Sequence, residues 1–218
     1  MANVCAIVGV GPGIGLAVAR RFGRGGFRLA LMARRKGVLD EHASMLRHEG
    51  LDALGFPANA ADAQSLAEAF GAVRAELGAP SVLVYNAAVL REAPPSRLDP
   101  ADLLLDLRVN VGGCLTSVHH VVSDMRHEAR GTILLTGGGL SLDPWPQFSS
   151  LAIGKAGLRN LAVSLAKELE PDGIHVATVT ITGLVKVGTR FDPNMIAEQY
   201  WLLHAQPRAG WQREVIYR

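Results

Sequence analysis

Seven short apolar runs, at residues 3–8, 28–33, 53–57, 81–85, 132–136, 175–181 and 214–217, read as β-strands, and helical patterns fill the intervals between them. Few folds accommodate that alternation. Strands separated by helices pair side by side in parallel, and the crossover helices cover both faces of the resulting sheet. The clearest helix spans 62–77, with Asp62 as its cap and Leu66, Phe70, Val73 and Leu77 along one stripe. The expectation is an α/β fold: one doubly wound, mostly parallel seven-stranded sheet with helices on both faces. At 218 residues the chain needs only one core, so residues 1–218 are read as a single domain.

Composition narrows the function classes. The 22 basic and 20 acidic residues are scattered along the chain and leave a formal charge of +2, so nothing argues for a nucleic-acid groove or an anionic membrane surface. No apolar run reaches the roughly 18 to 20 residues that span a bilayer, and the chain begins directly with a strand-like stretch. The expected location is cytoplasmic, with no nucleic-acid or membrane partner. Cys5 and Cys114 are far apart and form no closely spaced metal or redox pair. They read as buried small hydrophobes, and no metal site is expected.

The segments 99–127 and 149–170 carry apolar residues around more than one face, among them Leu104, Leu107, Leu115, Val118, Ile153 and Leu158. A helix that is apolar on two sides needs two things to pack against. Their outer faces are expected to form a subunit interface, in a homodimer or homotetramer.

Between the first strand and an amphipathic helix over 16–22 stands the run Val8-Gly9-Val10-Gly11-Pro12-Gly13-Ile14-Gly15. Backbone without side chains can turn tightly and approach a pyrophosphate, and the helix N-terminus then offers free N–H groups and a favourable dipole to the anion. The loop therefore reads as the nucleotide site of a Rossmann-type domain, with Gly9, Gly11, Gly13, Ile14 and Gly15 as contacts. The second strand ends Ala33-Arg34-Arg35, near the adenosine ribose in this kind of fold. An acidic residue there would favour a free 2′-hydroxyl. Arg34 and Arg35 instead offer fixed guanidinium donors to a 2′-phosphate, which favours NADP with NAD as the alternative cofactor. The competing reading of both arginines is a solvated surface.

Several segments together resemble the short-chain dehydrogenase/reductase family, along nearly the whole chain. Gly9, Gly13 and Gly15 match its GxxxGxG cofactor loop, with Val8 where a threonine is usual. Tyr85-Asn86-Ala87-Ala88 resembles its Asn-Asn-Ala-Gly strand end, and Val109-Asn110-Val111-Gly112 resembles the helix with its active-site asparagine. The resemblance implies cofactor contacts at Asn59 and Ala60, where the family has an aspartate beside adenine, and at Asn86 and Ala87. It also implies a backbone contact to the carboxamide at Val185, in Thr180-Ile181-Thr182-Gly183-Leu184-Val185.

Leu151-Ala152-Ile153-Gly154-Lys155 is similar to the family's Tyr-x-x-x-Lys helix, with leucine at the tyrosine, and thirteen residues earlier Gly138 stands at the usual serine. Of the four chemical positions the resemblance keeps Asn110 and Lys155, which are taken as the catalytic pair. Lys155 would bind the nicotinamide ribose. Asn110 either positions solvent or holds a helix kink. Leucine cannot act as a general acid. Ser141, Ser149 and Ser150 are placed near the cleft as capping or solvated groups, and His119 and His120 as packed or surface groups. The leading expectation is an oxidoreductase that binds NADP(H) and acts on a small carbonyl or alcohol by a non-standard proton route. The alternatives are a catalytically silent cofactor-binding sensor or interaction protein, and a lyase- or isomerase-type reaction on the same scaffold.

Overall fold

The computed structural model describes residues 3–218. Its strands are β1 (Val4–Val8), β2 (Arg28–Ala33), β3 (Ala53–Pro57), β4 (Val82–Tyr85), β5 (Gly131–Gly138), β6 (Ile174–Ile181) and β7 (Glu214–Tyr217). The helices are α1 (Ile14–Arg24), α2 (Lys36–His48), α3 (Ala63–Glu76), α4 (Pro100–Leu107), α5 (Gly113–His127), α6 (Ser149–Leu169) and α7 (Pro193–His204). All seven strands form one sheet in the order β3-β2-β1-β4-β5-β6-β7. Every pairing in it is parallel, so the sheet is wholly parallel where the sequence implied mostly.

Parallel strands covered on both faces are apolar at consecutive positions rather than alternate ones, and β1 illustrates why. Val4, Ala6 and Val8 enter one core with α3, α5 and α6, through Phe70, Val118 and Leu158 among others. Cys5 and Ile7 enter the other with α1, α2 and α7, through Phe22, Leu39 and Tyr200. Both cysteines are buried and free. Asp62 caps α3 by accepting from the amides of Gln64 and Ser65, which fixes the start read from the sequence. Among the described residues no helix is long and apolar enough to cross a membrane.

The segment 99–127 is not one helix. α4 and α5 are separated by a π-helical turn, Arg108–Gly112, with Asn110 at its centre. Such a turn frees backbone groups that a regular helix would pair, and here the Tyr85 hydroxyl donates to the Val109 carbonyl. Strand β5 runs on through Gly137 and Gly138, past the end the sequence indicated. A β-carbon on Gly137 would lie 2.5 Å from Thr180 Oγ1, so glycine there reflects the close approach of β6.

The strand order reverses beside β1, where β2 lies on one side and β4 on the other. A crevice opens at the carboxyl ends of the strands at such a reversal.

Candidate active site

The loop after β1 is shaped by contacts that only glycine permits. Gly9 has φ of +92°, and a β-carbon on it would lie 2.4 Å from the Ala87 amide nitrogen. The amides of Gly9 and Val10 both donate to the Met32 carbonyl, at 2.8 and 3.1 Å. A β-carbon on Gly15 would lie 2.9 Å from the Gly9 carbonyl oxygen, so α1 rises directly beneath the turn. Gly11 and Gly13 instead face open space. Gly13 caps α1 with no side-chain bond, and no acidic residue sits in the first turn. Among the described residues the amides of Gly11, Gly13, Ile14 and Gly15 have no hydrogen-bond partner. Free donors at a helix N-terminus behind side-chain-free backbone fit a phosphate group.

From this loop a cleft of about 360 Å³ runs toward the ends of β2 and β3. Gly9, Gly11, Arg34 and Arg35 line it, as do Asn59, Ala60, Asn86 and Ala87. Arg34 and Arg35 are exposed, and among the described residues neither has an ion-pair partner, whereas the adjacent Lys36 is held by Asp40 at 2.7 Å. Asn59 caps its own turn, its Oδ1 accepting from the Ala61 amide at 3.2 Å.

A second cleft of about 760 Å³ continues from the first, with Asn86, Ala88 and Leu90 in both walls. Ile14, Gly138, Leu151, Lys155 and Val185 line it. Lys155 is buried, and its Nζ donates to the Thr136 carbonyl at 2.6 Å. Burial disfavours the ammonium and pulls its pKa down to about 8, against a small opposing pull from Cys114. Gly138 is extended backbone. A β-carbon there would rest 3.5 Å from Lys155 Cγ, an ordinary contact, so the glycine bares the lysine stem to the cleft.

Asn110 is placed differently from the rest. It lines neither cleft; it is buried, and its Oδ1 accepts from the Val89 amide at 2.8 Å, which holds the loop after β4. Its Nδ2 is buried without a partner among the described residues. Gly154 lies against it, where a β-carbon would come within 2.6 Å of Asn110 Cβ. Gly13 and Gly15 also lie outside both linings; they act through the start of α1.

The serines are all committed elsewhere. Ser141 Oγ donates to the Gly138 carbonyl, Ser149 Oγ to the Ala93 carbonyl and Ser150 Oγ to Asp106 Oδ2. His120 stacks on Phe70 with ring centroids 5.3 Å apart, and burial lowers its pKa. None of these groups, nor His119, lines either cleft.

Two further residues stand behind the site: Thr136, which sequence reasoning did not place there, and Tyr200, read from the sequence as an aromatic of a pocket wall or, more readily, of the core. Asn86 Nδ2 donates to the Gly9 carbonyl at 2.8 Å, and its Oδ1 accepts from Thr136 Oγ1 at 2.9 Å. Thr136 Oγ1 therefore accepts from the Tyr200 hydroxyl, 2.7 Å away. The chain runs from α7 through β5 and the end of β4 to the glycine loop. A polar residue at the carboxyl end of a central strand was the available signal for Thr136. Tyr200 lies too far along the chain to be linked by pattern. The far ends of the walls are joined by the Ala93 amide donating to the Gln147 carbonyl at 2.8 Å, beside a bridge between Ala93 and Phe148.

The sequence profile of the family described as short chain dehydrogenase matches residues 3–195. The chain is 30% identical over 187 residues to 2-(S)-hydroxypropyl-CoM dehydrogenase 3 of Xanthobacter autotrophicus, covering 84% of this chain and 73% of that protein. It is likewise 30% identical over 179 residues to 3-oxoacyl-(acyl-carrier-protein) reductase of Bos taurus, covering 82% and 74%. Among solved structures, a metagenomic short-chain oxidoreductase in complex with NADP superimposes with a TM-score of 0.89 at 27% identity, covering 98% of this chain and 96% of that one.

Proposed function

Because the chain belongs to the short chain dehydrogenase family, we propose that it is an oxidoreductase that binds NADP(H) and interconverts a carbonyl compound and its alcohol without a tyrosine proton donor. The observation that carries this reading is the continuity of the two clefts, from the free amides at the start of α1 to the buried Lys155. The solved oxidoreductase complexed with NADP has the same fold along nearly its whole length and supports the choice of cofactor.

In this reading Gly9 and Gly11 let the backbone approach the pyrophosphate, and the amides of Gly13, Ile14 and Gly15 hold it. Arg34 and Arg35 take the 2′-phosphate as charge-assisted donors. Asn59 and Ala60 meet the adenine end, Asn86 and Ala87 form the floor, Val185 offers its backbone to the carboxamide, and Lys155 reaches the nicotinamide ribose. A nicotinamide held there would supply or take the hydride. Gly138 and Leu151 stand where the family places a serine and a tyrosine, so neither side chain offers a hydroxyl to the reacting oxygen. Lys155 Nζ, with a pKa near 8, can hold or release a proton near neutral pH and exchange it with solvent in the cleft it lines, while Asn110 holds the loop after β4 through the Val89 amide. The protein is also read as a single domain that assembles as a homodimer or homotetramer.

Titration with NADPH and NADH tests the cofactor. NADPH is expected to bind at least about tenfold more tightly, since a hydrogen bond to a charged group contributes roughly 1.5–3 kcal/mol, and Arg34→Ala/Arg35→Ala is expected to abolish the preference. Turnover of a carbonyl panel by the unmodified protein, lost in Lys155→Ala, supports the enzyme. Tight NADPH binding without turnover, with activity gained only in Gly138→Ser/Leu151→Tyr, would overturn it in favour of a cofactor-binding protein.

A further inference from the structure

The larger cleft holds a second kind of information, in the chemistry of its walls. Leu90 enters from the loop after β4, Leu140, Leu142, Trp145 and Phe148 from the loop before α6, and Leu184 from the segment after β6. Several of these large apolar side chains face solvent: Leu184 is 83%, Leu90 71% and Trp145 59% exposed. Single exposed hydrophobes are ordinary on a protein surface, but a concave group of them marks a binding site.

The polar side chains of the same lining are nearly all engaged within the protein. Asn86 and Thr136 bond to each other and, respectively, to the Gly9 carbonyl and the Tyr200 hydroxyl. Thr182 Oγ1 donates to the Tyr217 carbonyl at 2.9 Å. Lys155 is the cation of this lining, and it is buried on the Thr136 carbonyl. The other charged side chain there is Asp143, which repels an anion. Arg34 and Arg35 belong to the nucleotide cleft instead. A substrate tail bearing a carboxylate or phosphate would lose water here and meet no cation other than Lys155, whose ammonium is already held by the Thr136 carbonyl.

We propose that this cleft accepts an uncharged carbonyl compound, or its alcohol, carrying a bulky aliphatic or aromatic substituent, in preference to small or anionic ones. The assignment rests on the oxidoreductase reading above. It commits the occupant to a small molecule because the cleft is continuous with the nucleotide cleft through Asn86, Ala88 and Leu90, which sets the occupant beside the cofactor's reactive end. The bridge between Ala93 and Phe148 ties the loop after β4 to the loop before α6.

Calorimetric titration of the full chain, saturated with NADP+ so that no ketone is reduced, with butanone, methyl hexyl ketone and methyl nonyl ketone reads the proposal directly. Affinity is expected to rise up to about fourfold for each added methylene that is buried, and the keto acid of matching length is expected to bind at least about tenfold more weakly because its carboxylate is desolvated without a free partner. Leu142→Arg is expected to weaken ketone binding and strengthen keto acid binding, with NADPH affinity unchanged. An affinity that does not change along the series, or a keto acid that binds as tightly as the ketone, would overturn the proposal. So would ketone binding that appears only on dilution to monomers, since a second copy would then cover the cleft. Binding needs no turnover, so a protein that takes up the long ketones yet never oxidises NADPH would defeat the oxidoreductase reading and leave the pocket assignment intact.

Discussion

Lys155 is the residue in which stability and chemistry meet. Its ammonium is buried and has one hydrogen bond, to the Thr136 carbonyl, so the charged form is disfavoured and the pKa falls from 10.5 to about 8. Below about pH 8 the lysine is charged in both the folded and the unfolded chain. Between about 8 and 10.5 the unfolded chain still holds a proton that the folded chain has released, so rising pH favours the folded state across that window. The upper bound of the gain is about 3 kcal/mol over the whole window. Thermal unfolding of the unmodified protein and of Lys155→Met, measured at intervals from pH 7 to 10, is expected to show the difference in midpoint moving steadily toward the unmodified protein above pH 8. A constant difference would mean that the lysine titrates normally. The sequence singled Lys155 out through its match to the Tyr-x-x-x-Lys helix. Its burial, and the baring of its stem by Gly138, follow from a contact between β5 and α6 that no local pattern encodes.

At the scale of elements, the glycine loop depends on helices and strands distant from it in sequence. Tyr200 on α7 bonds Thr136 on β5, Thr136 bonds Asn86 after β4, and Asn86 bonds the Gly9 carbonyl. Tyr200→Phe removes the outermost link and leaves Thr136 free to donate to Asn86; the expected cost is about 1 kcal/mol of stability, with little change in NADPH affinity. Thr136→Val cuts the middle, leaving the half-buried Asn86 Oδ1 and the buried Tyr200 hydroxyl without their partner; about 1–3 kcal/mol and a severalfold loss of NADPH affinity are expected. Urea unfolding and NADPH titration of both variants check this, and unchanged affinity in Thr136→Val would show that the loop holds its shape unaided. The loop itself was legible, because the glycines sit between strand-like and helix-like stretches. The buttress behind it was not, because its links join residues up to 77 positions apart. The π-helical turn at Asn110 was legible as one of that residue's two readings, a helix kink, but not in its form. The Tyr85 hydroxyl that meets the Val109 carbonyl comes from a strand 24 residues away.

At the scale of the molecule, the alternation of short apolar runs and helical stripes was enough to give the sheet, because a parallel sheet buried on both faces leaves consecutive apolar residues as its trace. The strands read at 28–33, 53–57 and 214–217 form with those bounds. β5 was read three residues short, at 132–136, since glycines weaken the strand signal and their surroundings come from distant elements: Gly137 meets Thr180 of β6, Gly131 meets Met125 of α5 and Gly138 meets Lys155 of α6. The same helical stripes bear on assembly. After α5 and α6 have packed their inner faces on the sheet, Leu115, Ile153 and Val163 remain exposed, as do Leu104 and Leu105 on α4. α4 and α6 pack against each other, so these side chains are expected to form one surface, and an apolar surface shared by neighbouring helices is covered most economically by its own copy under two-fold symmetry. A Leu104→Glu/Ile153→Glu variant sets two carboxylates, and in a two-fold dimer four, into that interface, where burying them unpaired costs several kcal/mol. Light scattering at micromolar concentration is expected to give a dimer or tetramer for the unmodified protein and a monomer for the variant. NADPH affinity should stay unchanged, because the substituted residues line neither cleft. A monomeric unmodified protein would mean that these leucines cover no partner copy, and the two-sided helices would then reflect the apolar composition of the chain rather than an assembly.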